Sequence, residues 1–408
     1  MPPPQRQRLL ITGAGIISPL GSDWRANEEA FAAGRTAFRP VEMFDVSARI
    51  AKTAAFVDLP QEQIYHTLSA RHEARVDRGS KMLLLALREA TARAGLKDLN
   101  EVDAMVIGTS AGAMMLGETY CRQIRQSPGR QPGQLSLVEH YQPQRQMTTL
   151  AHEVGWHGPV LLVSNACASG ANAIGMAMEM IWSGRAKRVI AGGYDAVSEL
   201  VFAGFDSLRA LAPSGIPRPF DAHRDGLALG EGAGVVVIES EEAAAERGAT
   251  AIAEAAGYST ATDLHHLTQP DPAGNAAIRT MTEACRMAGV LPREVDYLNS
   301  HGTGTPFNDV AEGSAIQAWA GEDVSKIAMS STKSAMGHLL GGAGAVESVI
   351  CLMAMQGQWM PGSLNIRELD PVATFDVVRS FRRGRVNTTI TNSFGFGGTN
   401  ASLVFRTA

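Results

Sequence analysis

The chain has 408 residues, 45% hydrophobic and 19% charged, with a formal net charge of −5 at pH 7. This is ordinary globular composition, long enough for two domains or one duplicated unit. The slight acidity and lack of a basic stripe argue against a nucleic-acid partner, and Cys121, Cys167, Cys285 and Cys351 are too scattered for zinc or a disulfide scaffold.

The cysteine usage fits a reducing compartment, so a cytoplasmic location is expected. Met1-Pro2-Pro3-Pro4-Gln5-Arg6-Gln7-Arg8 is followed by no apolar region of signal-peptide length. No window offers the ~18–20 charge-free apolar residues of a membrane span, and no membrane association is expected. The longest candidate is the short helix after Cys167.

Residues 9–17 read as a strand with a Gly13-Ala14-Gly15 turn, 24–33 as a helix and 38–59 as loop. An amphipathic helix is predicted over 71–93, with Met82, Leu83, Leu85, Ala86 and Ala90 for the core and Gly95 as its stop. Residues 102–108 form a buried strand. Residues 116–157, polar and carrying Pro128, Pro132 and Pro143, read as a surface excursion with one or two helices.

Val160-Leu161-Leu162-Val163 is a buried strand, followed at 168–182 by a helix apolar nearly all round and therefore buried. Cys167 lies at their junction. The free N–H groups at the start of the helix should stabilise a thiolate there and lower its pKa. An inert core cysteine is the competing reading. Strands follow at 188–193 and 234–239.

A second half begins near residue 251 and repeats the first weakly. Glu89-Ala90-Thr91-Ala92-Arg93-Ala94-Gly95-Leu96, then Glu101-Val102-Asp103, recurs as Glu283-Ala284-Cys285-Arg286-Met287-Ala288-Gly289-Val290, then Glu294-Val295-Asp296. The buried helix at 168–182 is echoed by an apolar run at 343–355. Alternating strands and helices give an α/β fold. Two related halves, 1–250 and 251–408, are expected to pack as one unit without a flexible linker.

Three further stretches sit at predicted strand ends, where ligands gather in α/β folds. They are Asn299-Ser300-His301-Gly302-Thr303-Gly304-Thr305, then Ser330 through His338, then Thr391 through Asn400. A cysteine, two histidines and a lysine suit thiol chemistry: a covalent acyl intermediate on Cys167, with neutral imidazoles polarising a carbonyl. Gly302-Thr303-Gly304 is too short for a phosphate loop, and no dinucleotide or deaminase motif is present.

Taken together these motifs are specific. Asn165-Ala166-Cys167-Ala168-Ser169-Gly170, His301-Gly302-Thr303-Gly304-Thr305, Lys333-Ser334-Ala335-Met336-Gly337-His338 and Gly395-Phe396-Gly397-Gly398-Thr399-Asn400 occur in family order. So do Arg218-Pro219-Phe220-Asp221, Arg224-Asp225-Gly226 and Gly230-Glu231-Gly232-Ala233-Gly234. Over nearly its whole length the chain resembles an elongating β-ketoacyl–acyl carrier protein synthase of the thiolase superfamily. The resemblance implies the duplicated five-layer α-β-α-β-α fold.

It also implies roles. Cys167 resembles the acyl-accepting nucleophile, and His301 and His338 the pair serving malonyl decarboxylation. Lys333 and Glu347 resemble the lysine and carboxylate beside them. Phe396 resembles the gate over the cysteine, its N–H forming an oxyanion hole with that of Cys167. Thr303 and Thr305 resemble contacts to the carrier's phosphopantetheine arm. Ala111, Gly112, Phe205 and Gly397 match substrate-binding positions, with 109–115 lining the acyl pocket. Ala111 or Gly112 stands where many fatty-acid members carry a larger apolar residue, and the loop 211–218 is shorter. Both departures leave room for a specialised polyketide or polyene pathway.

The implied reaction is decarboxylative condensation with malonyl carrier, needing no cofactor. A degradative thiolase would need a further cysteine near the C-terminus, and residues 392–408 have none. A chain-length factor would lack the nucleophilic cysteine. The expected partners are acyl carrier protein and a second copy, or a chain-length factor in a heterodimer. Arg209, Arg122 and Arg125 are candidates for a basic rim that steers the acidic carrier. The segment 176–180 is a candidate for the dimer interface, with simple core packing as the alternative.

Overall fold

The computed structural model describes residues 7–126, 129 and 135–408; Pro128, Pro132 and the first six residues lie outside the described residues. One mixed sheet runs through the molecule. Its strands in chain order are β1 (Leu9–Ile17), β2 (Ala104–Gly108), β3 (Val160–Val163), β4 (Arg188–Asp195) and β5 (Gly232–Ser240). They continue with β6 (Ala253–Thr262), β7 (Tyr297–Asn299), β8 (Ala328–Ser330), β9 (Asp376–Val377), β10 (Thr388–Phe394) and β11 (Thr399–Arg406).

The spatial order is β9-β8-β7-β10-β11-β6-β1-β5-β4-β2-β3. Read outward from the junction of β1 and β6, the two sides are copies. On one side β1 pairs β5 and β5 pairs β4 antiparallel, while β4 pairs β2 and β2 pairs β3 parallel. On the other, β6 pairs β11 and β11 pairs β10 antiparallel, then β10 pairs β7 and β7 pairs β8 parallel. The edge strand β9 has no counterpart. Among the described residues, the strands of the two sides pair where Leu10 and Ile11 face Glu254 and Ala253.

The helices complete five layers. The helix Arg78–Ala94 covers β1 and β5, and the helix Asn275–Ala288 covers β6 and β11. Each ends at a left-handed glycine, Gly95 and Gly289, both with φ 67. Between the two sheet halves lie the helices Ser169–Trp182 and Ala343–Gly357, each touching strands of both. They are apolar nearly all round because both faces are covered. Their crossing requires glycine: a Cβ on Gly170 would stand 2.8 Å from Ala345 N, and one on Gly344 would stand 2.8 Å from Ala171 N. The run Leu340–Gly357, rather than the helix after Cys167, has the length and composition to cross a membrane, and 89% of it is buried in the core.

Some local expectations change. The helix expected over 71–93 is two, Ala70–Glu73 and Arg78–Ala94. Asp77 breaks it by taking extended backbone and accepting the Ser80 N–H at 2.9 Å, the geometry of an N-cap. The loop-like 38–59 contains the short antiparallel pair Phe38–Pro40 and Thr53–Ala55. Among the described residues the surface excursion holds three helices, Met114–Gln126, Leu135–Tyr141 and Pro143–Val154. Within 176–180, Met178 is core while Met176 is 37% exposed.

Candidate active site

Every candidate loop leaves the C-terminal end of a parallel strand or of its antiparallel neighbour. The run 109–112 follows β2 and Cys167 follows β3. Their second-half counterparts β7 and β8 lead into His301 and into Lys333 and His338. Phe396 follows β10. The duplication therefore brings five segments to one end of the sheet.

Cys167 stands on a tight turn. Ala166 before it has φ 53. Its carbonyl accepts the Ser169 hydroxyl at 2.6 Å and the Ser110 hydroxyl at 2.8 Å. The helix starts at Ser169 with Ala168 as its cap, so the thiol precedes the first turn. The expected lowering of the thiol pKa is overturned. Cys167 is 7% exposed, and burial pushes the thiol up to about 11. The Lys333 ammonium and the N–H groups of Phe396 and Cys167 oppose this without cancelling it.

The His301 and His338 rings lie edge to face with centroids 5.4 Å apart. Burial, reinforced by the Lys333 charge, holds both well below the usual imidazole range, so both are neutral at pH 7. Nδ1 of His338 accepts the Leu340 N–H at 3.1 Å. His301 Nδ1 is buried without a partner. Lys333 and Glu347 form a buried ion pair, each nearly inaccessible to water. Burial raises the Glu347 carboxyl, and Lys333 opposes this.

Cys167, His301 and His338 share a cavity of about 200 Å³. Thr303 and Thr305 line it, their hydroxyls 2.8 Å apart. Phe205 and Phe396 also line it, with their rings stacked at 5.6 Å and 20°. Phe396 is 36% exposed, at the boundary between site and solvent. Lys333 and Glu347 stand behind the cavity wall. Ala111 and Gly112 do not line this cavity; their N–H groups donate to Asp195 at 2.9 and 3.0 Å. Gly397 is also outside the lining and donates its N–H to the Leu267 carbonyl at 2.7 Å.

Two sequence models of one family match the chain: "Beta-ketoacyl synthase, N-terminal domain" over residues 6–244, and "Beta-ketoacyl synthase, C-terminal domain" over residues 252–367. The chain belongs to the beta-ketoacyl synthase family. A 3-oxoacyl-[acyl-carrier-protein] synthase 2 of Synechocystis is 35% identical, with 98% of each chain covered. A protein of the same name from Coxiella burnetii is 34% identical over 98% of each. Among solved structures, "The ishigamide ketosynthase/chain length factor" has TM-score 0.92 and 32% identity, covering 99% of this chain and 100% of the other. A type II polyketide ketosynthase solved in complex with its acyl-carrier protein has TM-score 0.88 and 26% identity, covering 99% and 100%.

Some supporting residues of this beta-ketoacyl synthase escaped sequence reasoning. Asp309 and Glu312, near the start of the helix Pro306–Ala320, grip the histidine loop. Glu312 accepts the N–H groups of His301 at 2.8 Å and Gly302 at 2.7 Å. Asp309 accepts the Thr303 N–H at 3.0 Å. Asp309, in the first turn of that helix, was the available signal; Glu312 lies a turn further on. The segment 263–270 forms one wall of the cavity, and nothing in its composition marks it. Arg224, by contrast, belongs to a motif read in the sequence; its guanidinium, paired with Asp370 at 2.6 Å, donates to the Thr305 carbonyl at 3.1 Å and braces the loop.

The three arginines expected at a carrier rim part company. Arg209 lines the cavity mouth. Arg122 is paired with Glu199 at 2.6 Å. Arg122 and Arg125 line a separate groove, on the side of the helix Glu199–Ser207 that carries Leu200 and Ala203.

Proposed function

We propose that the chain condenses an acyl group held on Cys167 with malonyl-acyl carrier protein, giving a β-ketoacyl carrier two carbons longer. The observation that carries this reading is one cavity shared by the Cys167 thiol and two neutral histidines, His301 and His338. The similarity to proteins named 3-oxoacyl-[acyl-carrier-protein] synthase 2 supports it.

In this reading the Cys167 sulfur attacks the acyl thioester of the carrier, whose thiol leaves with the cysteine's proton. The N–H groups of Cys167 and Phe396 hold the tetrahedral oxyanion, each such donor contributing ~2.7–4 kcal/mol. Malonyl carrier then enters past Thr303 and Thr305. Its carboxylate departs as CO2, and the electron pair of the broken bond becomes an enolate. The Nε2–H of His338, with His301, stabilises the enolate oxygen; a neutral imidazole donates without first giving up a proton. The enolate carbon attacks the acyl carbonyl, a carbon–carbon bond forms and the Cys167 thiolate is released. Loss of CO2 drives the step, so no nucleotide, metal or redox cofactor enters the balance. Lys333, paired with Glu347, keeps the imidazoles neutral.

The test is incubation with acyl carrier and malonyl carrier, with mass spectrometry of both proteins. An acyl adduct on Cys167 and a β-ketoacyl carrier two carbons longer are expected. A free Cys167 and unextended carrier would sink the reading.

A second reading concerns assembly. The similarity to ketosynthase/chain-length-factor structures favours a heterodimer over a homodimer, in specialised polyketide or polyene synthesis in the cytoplasm. Native mass measurement of the purified protein, alone and after co-expression with a chain-length factor, separates the two.

A further inference from the structure

Two of the non-glycine residues that hold left-handed backbone lie within two positions of Cys167 or His338. Ala166, with φ 53, precedes Cys167, and Leu340, with φ 52, follows His338 by two residues. An L side chain is strained in that region. Such strain persists only where the surroundings hold it. Contacts from both turns lead to one side chain.

Asp195 ends β4 and is fully buried. Its Oδ1 accepts the Thr109 hydroxyl at 2.7 Å and the N–H groups of Ala111 at 2.9 Å and Gly112 at 3.0 Å. Its Oδ2 accepts the N–H groups of Ser110 at 2.9 Å and Gly341 at 2.6 Å. The second pair reaches the chemistry. Ser110, so fixed, donates its hydroxyl to the Ala166 carbonyl at 2.8 Å. Gly341 directly follows Leu340, whose N–H donates to His338 Nδ1 at 3.1 Å. The fit leaves no room: a Cβ on Gly341 would stand 2.5 Å from Ser110 N and 2.7 Å from Asp195 Oδ2.

We propose that Asp195 is a positioning residue that holds the Cys167 turn and the His338 turn against each other. It touches no reacting atom. One carboxylate oxygen joins Ser110, of the first half, to Gly341, of the second, and so sets the nucleophile's loop relative to the histidine's loop. The inference rests on the roles of Cys167 and His338 proposed above. A shift of ~1 Å between reacting groups costs about 10²-fold in rate, so two turns sharing one anchor should fail together.

The test compares Asp195→Asn with Ser110→Ala. In Asp195→Asn the three donors on Oδ1 keep the amide oxygen. The NH2 then faces the N–H groups of Ser110 and Gly341, and both links are lost. Acyl transfer to Cys167 and decarboxylation of malonyl carrier should each fall at least about tenfold in kcat, with KM within about twofold. Ser110→Ala cuts only the link to Ala166, and should slow acyl transfer while sparing decarboxylation. Alkylation of Cys167 by iodoacetamide needs only the thiolate, which the Asp195 charge opposes; Asp195→Asn should therefore alkylate faster while acylating more slowly.

The proposal is overturned if Asp195→Asn stays within about twofold of wild type in both half-reactions, or if Ser110→Ala slows both equally. Should Asp195→Asn fail to fold, Ser110→Ala decides alone. A wild type that alkylates at Cys167 but never condenses sinks the functional reading instead. The anchor role is then judged by the crystal structure of Asp195→Asn, and Cys167 and His338 turns left unmoved overturn it.

Discussion

His338 Nδ1 accepts the Leu340 N–H at 3.1 Å, which leaves the proton of the neutral ring on Nε2. The ring is thereby an N–H donor before any substrate arrives. Its partner His301 is held neutral by the same burial and the same lysine.

His301→Ala and His338→Ala should each slow condensation by about 10²–10³-fold, the usual cost of losing one preorganised donor. Acylation of Cys167 should change far less, since the oxyanion donors there are backbone groups. Separate assays of acyl-enzyme formation and ketoacyl product check this. Equal losses in both half-reactions would refute the division of labour.

The Cys167 thiol sits at about 11 against an ordinary 9.0. Alkylation of Cys167, followed by peptide mass mapping, should therefore rise with pH to a midpoint well above that of a free thiol. Lys333→Met removes the ammonium that pulls the thiol down, so its midpoint should lie higher still. A midpoint below 9.0 in the wild type would contradict the burial argument.

Lys333 and Glu347 are paired where water does not reach. Removing one partner strands the other. Lys333→Met should lose about 3–5 kcal/mol of stability in denaturant titration, and Lys333→Met with Glu347→Leu should recover most of it. Failure of the double variant to recover would show that the lysine acts through packing rather than charge.

Burial raises the Glu312 carboxyl from 4.5 to about 7 in the folded chain. The folded state thus binds a proton that the unfolded state releases earlier. This contribution to stability is fully present below 4.5 and is lost as pH rises through about 7. Between those values the wild type should lose stability relative to Glu312→Gln. Parallel stability curves for the two proteins would refute the shift.

The candidate site residues and the duplicated plan were both legible in the chain itself. Cys167, His301, Lys333 and His338 were legible because each sits in a short motif at a strand end. The repeat was legible because the helices 89–96 and 283–290 approach the same kind of glycine stop before the same kind of strand. Those are local signals, carried by residue type and spacing.

What those residues do to one another depends on the folded chain. The helix start after Cys167 promised a low thiol pKa, yet the second half closes over the thiol, and burial outweighs the local N–H groups. Asp195 and Glu312 carry no mark in the sequence because their partners here are backbone N–H groups, which no side-chain pattern records. Ala111 and Gly112, expected on the acyl pocket, also carry the N–H groups that hold Asp195. Desolvation and backbone hydrogen bonding depend on what packs over a residue from afar in the chain, and that is settled only when the two halves meet.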